Sequence, residues 1–149
     1  MIKGLDSSVL LYALDTAAPL HRRALEVLDQ SIGGKWLACV CSTTLLELAE
    51  ILTDSRRVRN PLAPAQVAKA LDRLTRYPQP QLLEADALTY KRALKLMEKY
   101  PVQRGRFVET QIAATLLEHG VRTIVTANSN DYVAIRELTV ENPFEALFA

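Results

Sequence analysis

The sequence has 149 residues, about one domain at the usual 100–200 residues per domain, and a chain of this size buries roughly 68–70% of its unfolded surface without needing disulfides or a structural metal. Hydrophobic residues make up 49% and charged residues 23%, with 18 Lys+Arg against 17 Asp+Glu for a net charge of +1; that balance excludes a strongly basic, histone-like binder while leaving room for a local basic patch. No apolar run approaches the 18 residues of a membrane span, and the start Met1-Ile2-Lys3-Gly4 reaches Asp6 too soon for the apolar region of a secretory leader, so one domain over 1–149 in the cytoplasm, with no membrane association, is expected.

In chain order, a short apolar run at Met1–Leu5 is followed by Val9–Leu14, read as a buried strand passing into a helix. Leu20–Ile32 has helical spacing and is broken by Gly33-Gly34, after which Trp36–Val40 reads as a second strand. Leu45, Leu48, Ala49 and Leu52 mark a helix, Ala65–Leu74 another, and Gln81–Leu83 a short strand. Leu88–Met97 and Val108–Leu117 are helical, Thr123–Thr126 is β-branched and strand-like, and Glu137–Val140 fits an edge strand. Strands of three to five residues separated by longer helices predict βαβ units, hence an α/β fold of three layers, α/β/α, around a short and mainly parallel sheet. Ligands in such sheets gather beyond the carboxyl ends of the strands. Cys39 and Cys41, one residue apart in a strand, point to one face and read as buried, reduced thiols rather than a metal or redox pair.

Four carboxylates stand at the ends of these elements. Asp6 directly follows the first strand and also suits a helix N-cap, a role compatible with ligation because only one oxygen is needed to cap. Glu47 and Glu50 share the polar arc of their helix, and periodicity does not choose between them. Glu109 precedes Ile112, Ala113 and Leu116 by three, four and seven positions, so it heads an apolar stripe and points toward the packed side; a first-turn acid favoured by the helix dipole is the simpler reading. Asp131 lies after the last clear strand in Asn128-Ser129-Asn130-Asp131, which also suits a plain turn. Taken together, Asp6 and Asp131 follow strands while Glu47 and Glu109 lie near helix starts at the same edge. At an effective dielectric near 20, two carboxylates ~5 Å apart repel by about 3 kcal/mol. Four together require protons or cations, and an all-oxygen set selects hard divalent ions such as Mg²⁺ or Mn²⁺, which suit phosphodiester hydrolysis.

These residues resemble the PIN-domain family (PilT N-terminus nucleases), and within it the VapC-type toxins of toxin–antitoxin pairs. The likeness rests on Leu5-Asp6-Ser7-Ser8-Val9-Leu10-Leu11-Tyr12, Thr44-Leu45-Leu46-Glu47-Leu48, Glu109-Thr110-Gln111-Ile112-Ala113-Ala114-Thr115 with Glu118-His119-Gly120-Val121, and Thr126-Ala127-Asn128-Ser129-Asn130-Asp131-Tyr132. It selects Glu47 over Glu50. It implies a metal-dependent endoribonuclease in which Asp6 and Asp131 bind Mg²⁺ (or Mn²⁺), Glu47 and Glu109 bind it or hold its waters, and Ser8 and Asn128 support the carboxylates or bound water. Hydrolysis would leave a 5′-phosphate and a 3′-hydroxyl. Two departures stand out: Asp6-Ser7-Ser8 replaces the usual Asp-Thr-Asn, and Glu109 replaces the usual Asp.

An RNA substrate needs positive charge near this acidic edge. Arg56, Arg57 and Arg59 cluster after the Glu47 helix, and Arg104 and Arg106, nearest in sequence to Glu109, are the preferred phosphate contacts. The resemblance further implies a small antitoxin partner and a homodimer. The alternative is a catalytically impaired PIN domain serving as an RNA- or protein-binding module; a phospho-receiver domain fits less well because a single acid follows the first strand.

Overall fold

Strands β1 (Ile2–Leu5), β2 (Leu37–Cys41), β3 (Gln81–Leu83), β4 (Thr123–Val125) and β5 (Thr139–Glu141) form one sheet in the order β3-β2-β1-β4-β5, with every pairing parallel. The computed structural model describes residues 1–76, 80–101 and 105–145. Helices α1 (Ser7–Leu14), α2 (His21–Ile32), α3 (Ser42–Thr53), α4 (Pro64–Leu74), α5 (Ala87–Lys99) and α6 (Phe107–Glu118) make the crossovers. The expected α/β/α layering is therefore present, and no described helix is long and apolar enough to cross a membrane.

Strand β2 shows why both faces of the sheet are covered. Ala38 and Val40 join one buried cluster with Leu5, Val9, Leu10, Val27, Leu48 and Val125, while Cys39 and Cys41 point into the other with Ile112, Ala113, Leu116, Ile124 and Tyr132. The two thiols are free, and burial pushes both up to about 12, so they are inert packing groups at neutral pH. Gly4 in β1 permits a close approach of α6, since a Cβ there would lie 2.6 Å from Leu116 Cδ2.

Two local readings shift. Val9–Leu14 contains no strand and lies wholly in α1, because Asp6 ends β1 and caps the helix, its side chain accepting from the Ser8 N–H. The edge strand begins two residues later than its apolar run suggested, at Thr139, where the register against Thr123 is set by the sheet.

The chain lays β1, β2 and β3 outward on one side, then crosses back to place β4 on the other side of β1. The strand order therefore reverses between β1 and β4, the position where a parallel α/β sheet opens a crevice at its carboxyl edge. The backbone N–H of Asp6 donates to the Val125 carbonyl at 3.0 Å across that boundary.

Candidate active site

Asp6 occupies the switch point and is 3% exposed. Its Oδ2 accepts from the Ser8 hydroxyl (2.7 Å), the Thr126 hydroxyl (2.8 Å) and the Ser8 N–H (3.4 Å), and its Oδ1 accepts from the Tyr132 hydroxyl (2.9 Å). The hydroxyls are themselves oriented: the Ala127 N–H donates to Ser8 Oγ (3.0 Å) and the Asn128 N–H to Thr126 Oγ1 (2.9 Å). Each hydroxyl oxygen accepts a hydrogen bond from a backbone N–H and turns its own hydrogen onto the carboxylate. The Tyr132 hydroxyl is held well above its ordinary pKa by burial, and next by the Asp6 charge beside it.

Glu47 lies in the second turn of α3, farther from the helix start than expected, and is half-buried while Glu50 is exposed. The Ser7 hydroxyl donates to Glu47 Oε1 at 3.0 Å. Burial pushes the Glu47 carboxyl up to about 7; the Ser7 hydrogen bond opposes this, and the charges of Asp6, Glu109 and Asp131 add to it. Glu109, the third residue of α6, is raised first by burial and then by Asp131 and Asp6, with its own backbone N–H and Arg106 opposing. Asp131 closes a short 3₁₀ turn, Ser129–Asp131, and is raised by burial and by Asp6 against the pull of Arg106. The four acids separated along the chain thus lie within one another's field.

They do not form a ready coordination shell. Among the described residues no three Asp, Glu, His or Cys side chains are gathered closely enough to hold a metal ion as they stand. Asp6 is turned onto its protein donors, and Asp131 Oδ1 faces Arg106 Nε at 3.5 Å. The donor set nevertheless suits a hard cation. Glu47 Oε2 and Glu109 Oε2 are buried without a hydrogen-bond partner, as is Thr44 Oγ1 one turn before Glu47, and an orphaned buried oxygen costs roughly 1–3 kcal/mol, more when charged. Oxygen atoms alone, two of them unsatisfied, fit Mg²⁺ or Mn²⁺ better than softer metals.

The Ser8 hydroxyl donates to Asp6 Oδ2. Asn128 contributes its backbone N–H to Thr126 Oγ1, and the residue is exposed. Arg106 caps α6 and reaches the Asn130 carbonyl as well as Asp131, so it both borders the acids and ties the Asp131 turn to α6. Arg104 lies outside the described residues. Arg56 is held by both oxygens of Asp54 at 3.0 Å, and Arg57 approaches the same carboxylate, which leaves these surface cations already engaged. Thr126 and Tyr132 escaped the sequence reading; the available signal was a hydroxyl residue at the end of β4 and an aromatic directly after Asp131.

The family model described as PIN domain matches residues 4–137. Ribonuclease VapC24 of Mycobacterium tuberculosis is 30% identical over 129 residues, covering 87% of this chain and 88% of that protein. Among solved structures, FitAcB from Neisseria gonorrhoeae superposes with a TM-score of 0.67 at 20% identity, covering 97% of this chain and 99% of the other. A toxin–antitoxin complex from Klebsiella pneumoniae gives a TM-score of 0.64 at 17% identity, covering 96% and 98%.

Proposed function

Because the chain belongs to the PIN-domain family and has a VapC ribonuclease among its relatives, we propose that it is a ribonuclease dependent on Mg²⁺ or Mn²⁺ and the toxin of a toxin–antitoxin pair. The observation that carries the reading is the pair of buried, unpartnered oxygens, Glu47 Oε2 and Glu109 Oε2, facing the field of Asp6 and Asp131. Asp6, Asp131, Glu47 and Glu109 would hold the cation or its waters. When bound, the cation lowers the pKa of water and neutralises charge developing on the phosphate.

The chain's own residues have separate tasks in this reading. Ser8, Thr126 and Tyr132 fix the Asp6 carboxylate, which keeps the site organised before substrate arrives. Ser7 fixes Glu47 by one oxygen and leaves Oε2 open to a cation or a proton. Arg106, beside Asp131, meets a substrate phosphate and offsets the repulsion between RNA and four acids. Glu109 reaches with one more methylene than Asp, and its place in the first turn of α6 lets that longer side chain enter the same field. Structural likeness to toxin–antitoxin complexes supports a small antitoxin partner; a homodimer and a cytoplasmic location complete the reading.

Cleavage of total RNA with and without Mg²⁺ tests it, alongside Asp6→Asn and Glu109→Asp. Metal-dependent cutting by the natural chain and loss in Asp6→Asn are expected. Asn is preferable to Ala, which would strand the Ser8, Thr126 and Tyr132 donors. Cutting by Glu109→Asp alone would instead leave the natural chain as a binding module.

A further inference from the structure

Next to the acids, a polar cleft of about 460 Å³ is lined by Arg106, Asp131, Asn128, Asn130, Asn142 and Glu145. It shares Arg106 and Asp131 with the proposed catalytic edge, and its size falls in the range of small-ligand pockets. Its wall is rigidly built. Asn142 Nδ2 donates to the Ala127 carbonyl and to Ser129 Oγ, both at 3.1 Å, while its Oδ1 accepts from the Phe144 N–H at 2.9 Å. The Ser129 hydroxyl donates to Glu145 Oε1 at 2.9 Å. The turn itself is closed by the Asp131 N–H on the Asn128 carbonyl and the Tyr132 N–H on the Ser129 carbonyl.

Against this fixed frame, Asn128 and Asn130 are exposed, and among the described residues their side-chain amides have no hydrogen-bond partner; only their backbone atoms are engaged. Two free amides on a pinned loop, lining a cleft beside a proposed phosphodiester-cleaving centre, present donor and acceptor pairs to whatever occupies it. The cleft's charge narrows the choice of occupant. Among the described lining residues Arg106 is the one cation, and the carboxylates of Asp131 and Glu145 disfavour a further phosphate. A neutral base suits the interior, with its phosphate held at the Arg106 end.

We propose that this cleft is a nucleotide subsite, in which Asn128 and Asn130 read the hydrogen-bonding edge of the base adjoining the scissile phosphate. The proposal rests on the nuclease reading. The carboxylates of Glu145 and Asp131 add acceptors to the amides' donor and acceptor pairs, which favours bases with an exocyclic amine (adenine, cytosine, guanine) over uracil, since unstacked RNA bases are read by hydrogen bonds on their edges.

The full chain, ¹⁵N-labelled, is titrated with AMP, CMP, GMP and UMP, a measurement that needs no turnover. The side-chain amide signals of Asn128 and Asn130 should shift, with UMP binding at least about threefold more weakly than the best ligand. Asn130→Ala should weaken that ligand roughly three- to tenfold while leaving the melting temperature unchanged. In parallel, cleavage of a random-sequence RNA pool by the natural chain should show a base preference that flattens in Asn130→Ala. Absent shifts, or equal affinity for all four nucleotides undisturbed by Asn128→Ala and Asn130→Ala, overturns the subsite. Selective nucleotide binding without RNA cleavage would defeat the nuclease reading and leave the subsite standing; cleavage with an unaltered preference in both variants would do the reverse.

Discussion

Tyr132 donates its phenolic hydrogen to Asp6 Oδ1 at 2.9 Å, joining residues 126 positions apart, and neither partner is more than 3% exposed. The bond ties the turn that carries Asp131 to the end of the central strand, so the two acids that follow strands share one support. A hydrogen bond to a charged group in such a place contributes about 1.5–3 kcal/mol.

Tyr132→Phe keeps the ring in its cluster and removes only that donor. It should cost about 2 kcal/mol, which lowers the melting temperature by roughly 4–8 °C in a chain of this size, and cleavage should fall because Asp6 loses one of its fixing contacts. Thermal unfolding followed by circular dichroism gives the first quantity; an unchanged melting temperature would show that the hydroxyl is dispensable.

The raised carboxyls give the metal-free protein a definite pH dependence. Glu47 is pushed from 4.5 to about 7, and Glu109 and Asp131 are raised as well. The folded state therefore retains protons that the unfolded chain has lost, and its stability falls as pH rises from about 4.5 through 7. With a discount for partial exposure, the Glu47 share is about 1–2 kcal/mol. In chelator, the melting temperature should drop between pH 5 and pH 7.5; Glu47→Gln should flatten the profile, and millimolar Mg²⁺ should restore the loss at the upper end. A melting temperature that climbs over this range would contradict the burial of charge at Glu47.

Most of this architecture is written in local patterns. Alternating short apolar runs and helical spacings yield the strands and helices, and the positions of Asp6 and Asp131 after strands follow from them. Glu47 could be separated from Glu50 only by resemblance, because both lie on one polar arc; the fold separates them by covering one and exposing the other. Thr126 and Tyr132 were illegible for a different reason. Their bonds to Asp6 cross the sheet at the point where its order reverses, and a sequence window holds no trace of which strands become neighbours. Asn128 reaches this network through its backbone N–H, a donor common to every residue except proline, so its residue type carries no signal of that contact. The polar cleft depends on Asn142 and Glu145, which come from beyond β5 and meet the Asp131 turn only after the sheet has closed.

Arg106 sits 3.5 Å from Asp131, with side chains 29% and 28% exposed. An ion pair this accessible contributes under about 1 kcal/mol, so Arg106→Gln should barely move the melting temperature. Its effect should appear with RNA: in an Asp6→Asn background that does not cut, the slope of log affinity against log salt should shrink by about 0.7, the value for one single-strand phosphate contact. An unchanged slope would remove Arg106 from the substrate path and leave it as a tie between α6 and the Asp131 turn.

The central strand and the Glu109 helix meet at Gly4 and Leu116. A Cβ on residue 4 would lie 2.6 and 2.8 Å from the two Leu116 methyls, and Leu116 is 1% exposed, so the methyls have little space to retreat. Gly4→Ala should therefore cost about 1–3 kcal/mol by overpacking, and Leu116→Ala about 2–5 kcal/mol through the cavity it leaves. Together they should cost less than their sum, by about 0.5–3 kcal/mol, because the new methyl fills part of the space vacated. Urea unfolding of the natural chain, both single variants and the double variant measures this coupling directly. The displacement should also reach the chemistry: α6 carries Glu109 two turns before Leu116, so Gly4→Ala should slow cleavage and the double variant should recover part of it. Strict additivity in stability would mean that α6 moves away as a rigid body and that the close approach at Gly4 does not set its position.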